Sequence, residues 1–274
     1  MKVTATQHNG LTVYTADGFT AAGGVTHGFS TRQGGVSEGI YASLNLGMNR
    51  GDDPARVREN YSRFCGVLGV SPRHLVFSRQ VHEAAVRTVT SADLGKGLDR
   101  EIDYTADALM TDIPGVALTI FSADCLPVLL YDPVRRVAAA AHAGWRGTAR
   151  GIIENTVGRM EEVYGCHPGD ILAAIGPGIS KCCFETGADV PNAMTESMGA
   201  AALPFIEPLP AGKFRVDLKG INAYRLERAG LSAQNIALSD ACTVCRSDQL
   251  WSHRVTQGER GSMAAVIALI PLLS

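Results

Sequence analysis

Apolar residues fall into two rhythms along this chain: stripes at helical spacing, and short runs that are apolar throughout. Val57, Tyr61, Phe64 and Leu68 recur three or four residues apart, which lines one face of a helix. Asp53 and Pro54 suit its start, because aspartate caps free N–H groups and proline has none to satisfy. Gly69 is a natural stop. A second stripe, Ile152, Ile153, Thr156, Val157, Met160 and Val163, follows a glycine-punctuated turn and ends at Gly165. A third follows Asp217 with Leu218, Ile221, Leu226 and Ala229, ahead of Gly230. Strands are predicted over 75–77, 85–89, 116–121, 127–131, 137–141, 171–175 and 264–270. The runs 116–121 and 137–141 are apolar on both faces, as central strands covered on each side must be. Helices alternating with such strands indicate a mixed α/β (α+β) fold. With no repeat, low-complexity tract or linker in the sequence, one compact domain over 1–274 is the simplest organisation.

Composition narrows the class without changing it. The chain has 274 residues, 46% apolar and 19% charged, with a net charge of −2. It is long enough to bury a sizeable core. The near-neutral balance and the lack of a Lys/Arg cluster give no footprint for nucleic acid. No apolar run reaches the ~18 residues of a membrane span. The opening MKVTATQHNG lacks the apolar centre of a secretory signal, so a cytoplasmic location is expected. Seven irregularly spaced cysteines read as free thiols rather than a disulfide framework.

The segment 121–151, FSADCLPVLLYDPVRRVAAAAHAGWRGTARG, concentrates the candidate chemistry. Cys125 and His142 fall just past the ends of predicted buried strands, where sites commonly form. Cysteine and histidine together bind a metal or serve as nucleophile and base. The turn at Gly144–Gly147 leads into a helix start, which presents free N–H groups to an anion. A third ligand is best supplied by His82, between two predicted strands. His8 is near the terminus and His167 precedes a proline, while His27, His74 and His253 remain open.

Several blocks, in order along the chain, resemble the YfiH-type laccase-domain family, also called multicopper polyphenol oxidase-like proteins. They are HGFSTRQGGVSEGIYASLNLG (27–47), RQVH (79–82), ADALMTD (106–112), FSADCLPVLLYDP (121–133), AHAGWRGTARGI (141–152), AAIGPGISKCCFE (173–185) and ACTVC with WSHR near the end. The resemblance implies a layered α/β/β/α sandwich with mixed sheets. It also implies a metal site of His82, Cys125 and His142, which would be the catalytic residues as well. Two imidazoles and a thiolate leave a fourth position open on zinc, the pattern of catalytic sites. Copper(II) is a possible replacement, since it binds such donors more tightly. A multicopper oxidase needs further copper ligands, typically paired His-x-His motifs, and this chain has none. Laccase activity is therefore set aside as the principal function and kept as the last alternative.

The implied activity is phosphorolysis of purine nucleosides (adenosine, inosine, guanosine, methylthioadenosine) with adenosine deamination beside it. The partners would thus be nucleosides and phosphate. Ser30 and Arg32 in FSTRQGG, Asn45, Gly144, Trp145 and Arg146 are the expected substrate and phosphate contacts. Blander roles compete: a tight turn at Arg32, loop closure by Asn45, packing by Trp145, a solvated Arg146. Asp107 and Asp124 are possible acceptors that orient the histidines. The same Cys125 and histidines would also suit a Cys/His or zinc amidohydrolase that edits wrongly built peptidoglycan precursors. Cys242-x-x-Cys245 looks like half of a zinc or redox site. Without a second such pair it reads as structural thiols, and Cys182-Cys183 as packing residues. Ser262 stands where relatives usually show an arginine, with Arg260 two residues away.

Overall fold

The doubly apolar runs lie where two covering layers meet them. In the computed structural model, which describes residues 1–271, the run at 137–141 belongs to β9 (Val137–Ala143). Its Val137, Ala139, Ala141 and Ala143 face a helical layer, whereas Ala138 and Ala140 face a second sheet. That second sheet contains β15 (Met263–Leu269), split in the same way: Ala265, Ile267 and Leu269 point inward, and Ala264, Val266 and Ala268 point toward another helix. Strict alternation along a strand is what permits a core on each side.

The first sheet runs in the order β1 (Val3–His8), β2 (Leu11–Ala16), β3 (Val25–Ser30), β15, β7 (Ala117–Ser122) and β4 (Leu75–Val76). The second runs β14 (Ile236–Leu238), β10 (Leu172–Ile175), β8 (Leu126–Asp132), β9, β6 (Ala108–Thr111) and β5 (Val86–Thr88). A small third sheet joins β11 (Glu185–Thr186), β13 (Lys213–Val216) and β12 (Ile206–Leu209). Outside the first sheet packs α2 (Pro54–Leu68). Outside the second pack α4 (Ile152–Tyr164), α5 (Asp189–Met198) and α6 (Leu218–Arg228). The expected α/β/β/α layering is therefore what the chain forms. Three short helices, α1 (Asp17–Ala22), α3 (Trp145–Ala149) and α7 (His253–Thr256), complete it. Among the described residues no helix is long and apolar enough to cross a membrane.

The predicted helices begin and end as their caps dictate. Asp53 accepts from the Ala55 N–H at 2.8 Å, and Gly69 closes α2 in the left-handed region at φ 66°. Two expectations shift. The turn after His142 already holds α3, and Gly151 at φ 80° separates it from α4. Val163 is 40% exposed, because the buried stripe of α4 stops at Met160. The strands β1, β2, β3, β6 and β14, the third sheet, and the helices α1, α5 and α7 lie outside the elements that the sequence pattern predicts. β1, for example, buries only Val3, so its apolar signal is faint.

Register brings the candidate residues together. Antiparallel pairing sets Pro127 of β8 opposite His142 of β9, and Ala108 of β6 opposite Ala141. Cys125 and Asp107, each one residue ahead of its strand, thus flank His142. In the other sheet Met263 pairs with Ser122, which carries Phe121, Arg260 and Ser262 to the same end.

Candidate active site

Asp107 organises this end of the sandwich. Its fully buried carboxylate accepts from the consecutive N–H groups of Val81 (3.1 Å), His82 (3.0 Å) and Glu83 (2.9 Å). It also lies 2.9 Å from His142 Nδ1. Its backbone carbonyl accepts from the His142 N–H at 2.7 Å. The contact at Nδ1 assigns the ring proton there and leaves Nε2 free for a metal. The three N–H bonds fold the 81–83 turn around the carboxylate and hold His82 in the left-handed region, φ 60°. Burial alone would raise the Asp107 pKa, but the hydrogen bonds from His142 and the turn hold it below the usual carboxylate range. Upstream, Gln80 bonds both backbone groups of Phe121, at 2.9 and 2.7 Å, fixing the turn to β7.

Cys125 Sγ stands 3.9 Å from His82 Nε2, and the ligand atoms of His82, Cys125 and His142 all lie within 4.8 Å of one another. Tetrahedral zinc with ordinary Zn–S and Zn–N bonds sets an S···N separation of about 3.6 Å. The donor set therefore fits a metal after only slight contraction. The two imidazoles meet edge to face, centroids 4.8 Å apart. Burial pushes the Cys125 thiol up and the His142 imidazole down. Their mutual attraction overrides it, bringing Cys125 to about 6 and, with Asp107, raising His142 to about 9. Gly144 leaves room beside the donors: a Cβ there would sit 3.0 Å from Cys125 Sγ and 3.1 Å from His82 Cδ2.

Two clefts open from the triad. One, about 300 Å³, is lined by His82, Cys125 and His142 together with Phe77, Phe121, Arg50, Arg260 and Ser262. The other, about 430 Å³, shares His82, Cys125, Arg50 and Arg260 and adds Trp145, Arg146, Phe184 and Arg254. Arg260 is 8% exposed and, among the described residues, its buried Nε has no partner. Burial, and the Arg50 charge facing it, lower its pKa to about 10. Two arginines whose charges repel one another thus stand beside the His82, Cys125 and His142 donors, a setting that would suit an anion.

The expected substrate contacts divide between these clefts and the framework. Gly144 caps α3 beside the triad, while Trp145 and Arg146 line the larger cleft with the guanidinium stacked 4.2 Å over the indole. Arg32 lies outside both clefts; it donates to Ser247 O and Ala42 O at 2.8 Å and stacks 4.0 Å over Trp251. Ser30 is buried and accepts from the Ala264 N–H at 3.0 Å. Asn45 Oδ1 accepts from Gly47 N (2.8 Å) and Ser262 N (2.9 Å), tying two rim loops together. Asp124 engages Thr243 Oγ1 (2.5 Å) and the Arg254 N–H (2.7 Å), so it anchors the Cys125 turn rather than a histidine. His27 is buried and accepts from the Ala16 N–H at 2.7 Å. Arg50, Gln80 and Arg254 were missed by sequence reasoning. Arg50 sits in the loop sequence GMNRGDDP, where glycine and aspartate mark a chain free to reach a site.

A family profile described as multi-copper polyphenol oxidoreductase laccase matches residues 26–270. The purine nucleoside phosphorylase YlmD of Geobacillus stearothermophilus is 36% identical over 250 residues, 89% of this chain and 90% of that protein. The purine nucleoside phosphorylase of Deinococcus radiodurans is 39% identical over 245 residues, 89% of each. The Escherichia coli purine nucleoside phosphorylase YfiH is 35% identical over 247 residues, 90% of this chain and 95% of that one. The crystal structure of Geobacillus stearothermophilus YlmD superposes with a TM-score of 0.91 at 33% identity, covering 97% of this chain and 99% of that chain. Profile, relatives and shared fold agree: the chain belongs to the multi-copper polyphenol oxidoreductase laccase family.

Proposed function

We propose that the chain is a zinc-dependent purine nucleoside phosphorylase, acting on adenosine, inosine, guanosine and methylthioadenosine and also deaminating adenosine. The observation that carries this reading is the Arg50–Arg260 pair beside the His82/Cys125/His142 triad in one cleft. The names of the relatives support it. His82, Cys125 and His142 would hold the metal, with copper(II) an alternative occupant. When bound, zinc supplies Lewis acidity at the floor of the cleft. Arg50 and Arg260 hold inorganic phosphate through charge-assisted hydrogen bonds and offset its charge. Phe77 and Phe121, packed edge to face with centroids 4.9 Å apart, line the cleft with aromatic surface on which a purine would pack. In phosphorolysis a phosphate oxygen bonds to C1′ as the glycosidic C–N bond breaks; the electron pair leaves with the purine, which takes up a proton. Arg146 and Trp145 serve the larger cleft, with Gly144 keeping it open at the triad. Arg32, Ser30 and Asn45 act as positioning residues for the loops around it. The whole chain works as one domain on cytoplasmic nucleosides.

The test is turnover of inosine and adenosine by zinc-loaded protein, with and without phosphate, read by chromatography. Phosphate-dependent release of hypoxanthine or adenine is expected; absence of both with zinc bound refutes the reading. The lowered pKa of Cys125 favours one alternative, a thiolate amidohydrolase for peptidoglycan precursors. A covalent adduct on Cys125 during turnover of such a precursor would select it.

A further inference from the structure

The half-site at Cys242-x-x-Cys245 finds its missing pair in the fold. The turn between β10 and β11 carries Cys182 and Cys183, and the turn after β14 carries Cys242 and Cys245. A bridge between Gly178 and Cys242 lays the two turns side by side, with Thr243 N donating to Gly178 O at 3.2 Å. The sulfurs of Cys182, Cys183 and Cys245 then form a near-regular triangle with sides of 3.6, 3.7 and 3.4 Å. All four sulfurs lie within 4.8 Å of one another. A tetrahedral centre with Zn–S bonds of 2.3 Å sets S···S edges of about 3.8 Å. A disulfide would instead draw one pair to about 2.05 Å and leave the other sulfurs outside.

We propose that Cys182, Cys183, Cys242 and Cys245 form a second metal site, a tetrathiolate centre for zinc, separate from the His82/Cys125/His142 triad. Two further features suit it. Cys242 is buried, and the N–H of Ser180 points at its Sγ from 3.4 Å, with the N–H groups of Val244 and Cys245 also directed at it. Such donors stabilise a thiolate rather than a thiol. Zinc with four thiolates carries a net charge of −2, and a buried cation stands nearby. Lys219 is 6% exposed, held by Ser239 O and Ala241 O at 2.8 Å each, and within electrostatic reach of Cys242 and Cys182. An S₄ donor set of this geometry selects zinc or iron over harder cations. The open position that marks the triad is missing here, so the centre is structural.

Its consequence reaches the cleft. Ile179 N donates to Asp124 O at 2.8 Å, Thr243 donates to the Asp124 carboxylate, and Arg254 donates to Cys183 O at 3.3 Å. Stapling the two cysteine turns therefore fixes the Asp124–Cys125 turn and the Phe184–Arg254 wall. Metal at the second site holds one side of the first.

The test is metal stoichiometry by native mass spectrometry on protein purified under reductant, combined with mapping of cysteine alkylation. Two zinc ions per chain are expected in the unaltered protein, one in His82→Ala/His142→Ala and one in Cys182→Ser/Cys245→Ser. Cys182, Cys183, Cys242 and Cys245 should resist N-ethylmaleimide until a strong chelator is added. That mapping needs only the unaltered chain, so a cysteine variant that misfolds does not blunt the test. A single zinc lost in the double-histidine variant would overturn the proposal. So would immediate alkylation of all four thiols, a disulfide among them, or thiolate-to-iron absorption in the purified protein.

Discussion

Gly144→Ala isolates the space at the triad from everything else glycine does. The residue has φ −69° and ψ 162°, extended backbone that alanine adopts without strain. Its added methyl would lie 3.0 Å from Cys125 Sγ, 3.1 Å from His82 Cδ2 and 3.6 Å from His142 Cε1. Unbonded carbons settle at about 3.5–4.0 Å, so the sulfur and the His82 ring must each retreat by roughly half an ångström. Insertions of this kind cost about 1–3 kcal/mol. In the metal-free protein that strain relaxes, because His82 is exposed and lies on a turn beside open cleft. Metal binding reverses the relaxation, for it requires the three donors to close up. The cost therefore appears in metal affinity, as a loss of roughly 5- to 150-fold at 1.4 kcal/mol per decade. Competition against a chromophoric zinc chelator measures it. The melting temperature of the metal-free protein should fall by less than about 2 °C, since 1 kcal/mol shifts a chain of this size by about 2–4 °C. Native zinc affinity in Gly144→Ala would refute the assignment of the triad as the metal site.

Three other substitutions probe the remaining parts of the argument. Asp107→Asn puts an N–H₂ group among donors that need an acceptor; zinc affinity should drop about 10- to 100-fold, measured by the same competition. Arg260→Gln and Arg50→Gln each remove a charge-assisted bond worth about 1.5–3 kcal/mol. Each should raise the KM for phosphate roughly 10- to 100-fold while moving the KM for inosine far less; equal effects on both would remove the arginines from the phosphate site. His27 supplies a pH dependence. Burial holds its pKa at about 4, whereas the unfolded chain takes up that proton near 6.5. Between these values the unfolded state binds more protons, so stability is complete above pH 6.5 and drains as pH falls toward 4, by about 3 kcal/mol. Denaturant titrations of His27→Gln should show a shallower acid limb, and an unchanged limb would show that His27 does not govern it.

What the sequence reveals of this fold depends on how many faces a strand buries. β7, β8, β9 and β15 are covered on both sides, so apart from Thr119, Ser122, Asp132 and His142 their residues are apolar and mark themselves as nearly continuous runs. β1 sits at a sheet edge with a single buried residue, and a solvated strand of that kind looks like a loop. β6 is fully buried but only four residues long, and ADALMTD suits a helix as well as a strand. Capped helices were legible because Asp53, Gly69 and Gly165 announce their ends locally.

The site divides along a similar line. Cys125 and His142 could be paired from sequence because both sit at the rim of strands whose neighbours are evident. The arginines could not be sorted that way. Arg32 and Arg260 both stand in glycine-containing turns, yet one is consumed by Ala42, Ser247 and Trp251, while the other lines the cleft, tied only to Gly261 and Ser262 of its own turn and with its Nε unpartnered among the described residues. The difference lies in which loop crosses the open end of the sandwich, and that follows from the pairing of Met263 with Ser122. Asp107 shows the same dependence on topology. A lone aspartate ahead of a strand suits a turn cap, and here it is one, for the 81–83 turn. Only the register of β6 against β9 adds His142 to the same carboxylate. One buried group thereby sets the direction of one histidine and the tautomer of the other. Long-range pairing converted a local capping residue into the part that assembles the donor set.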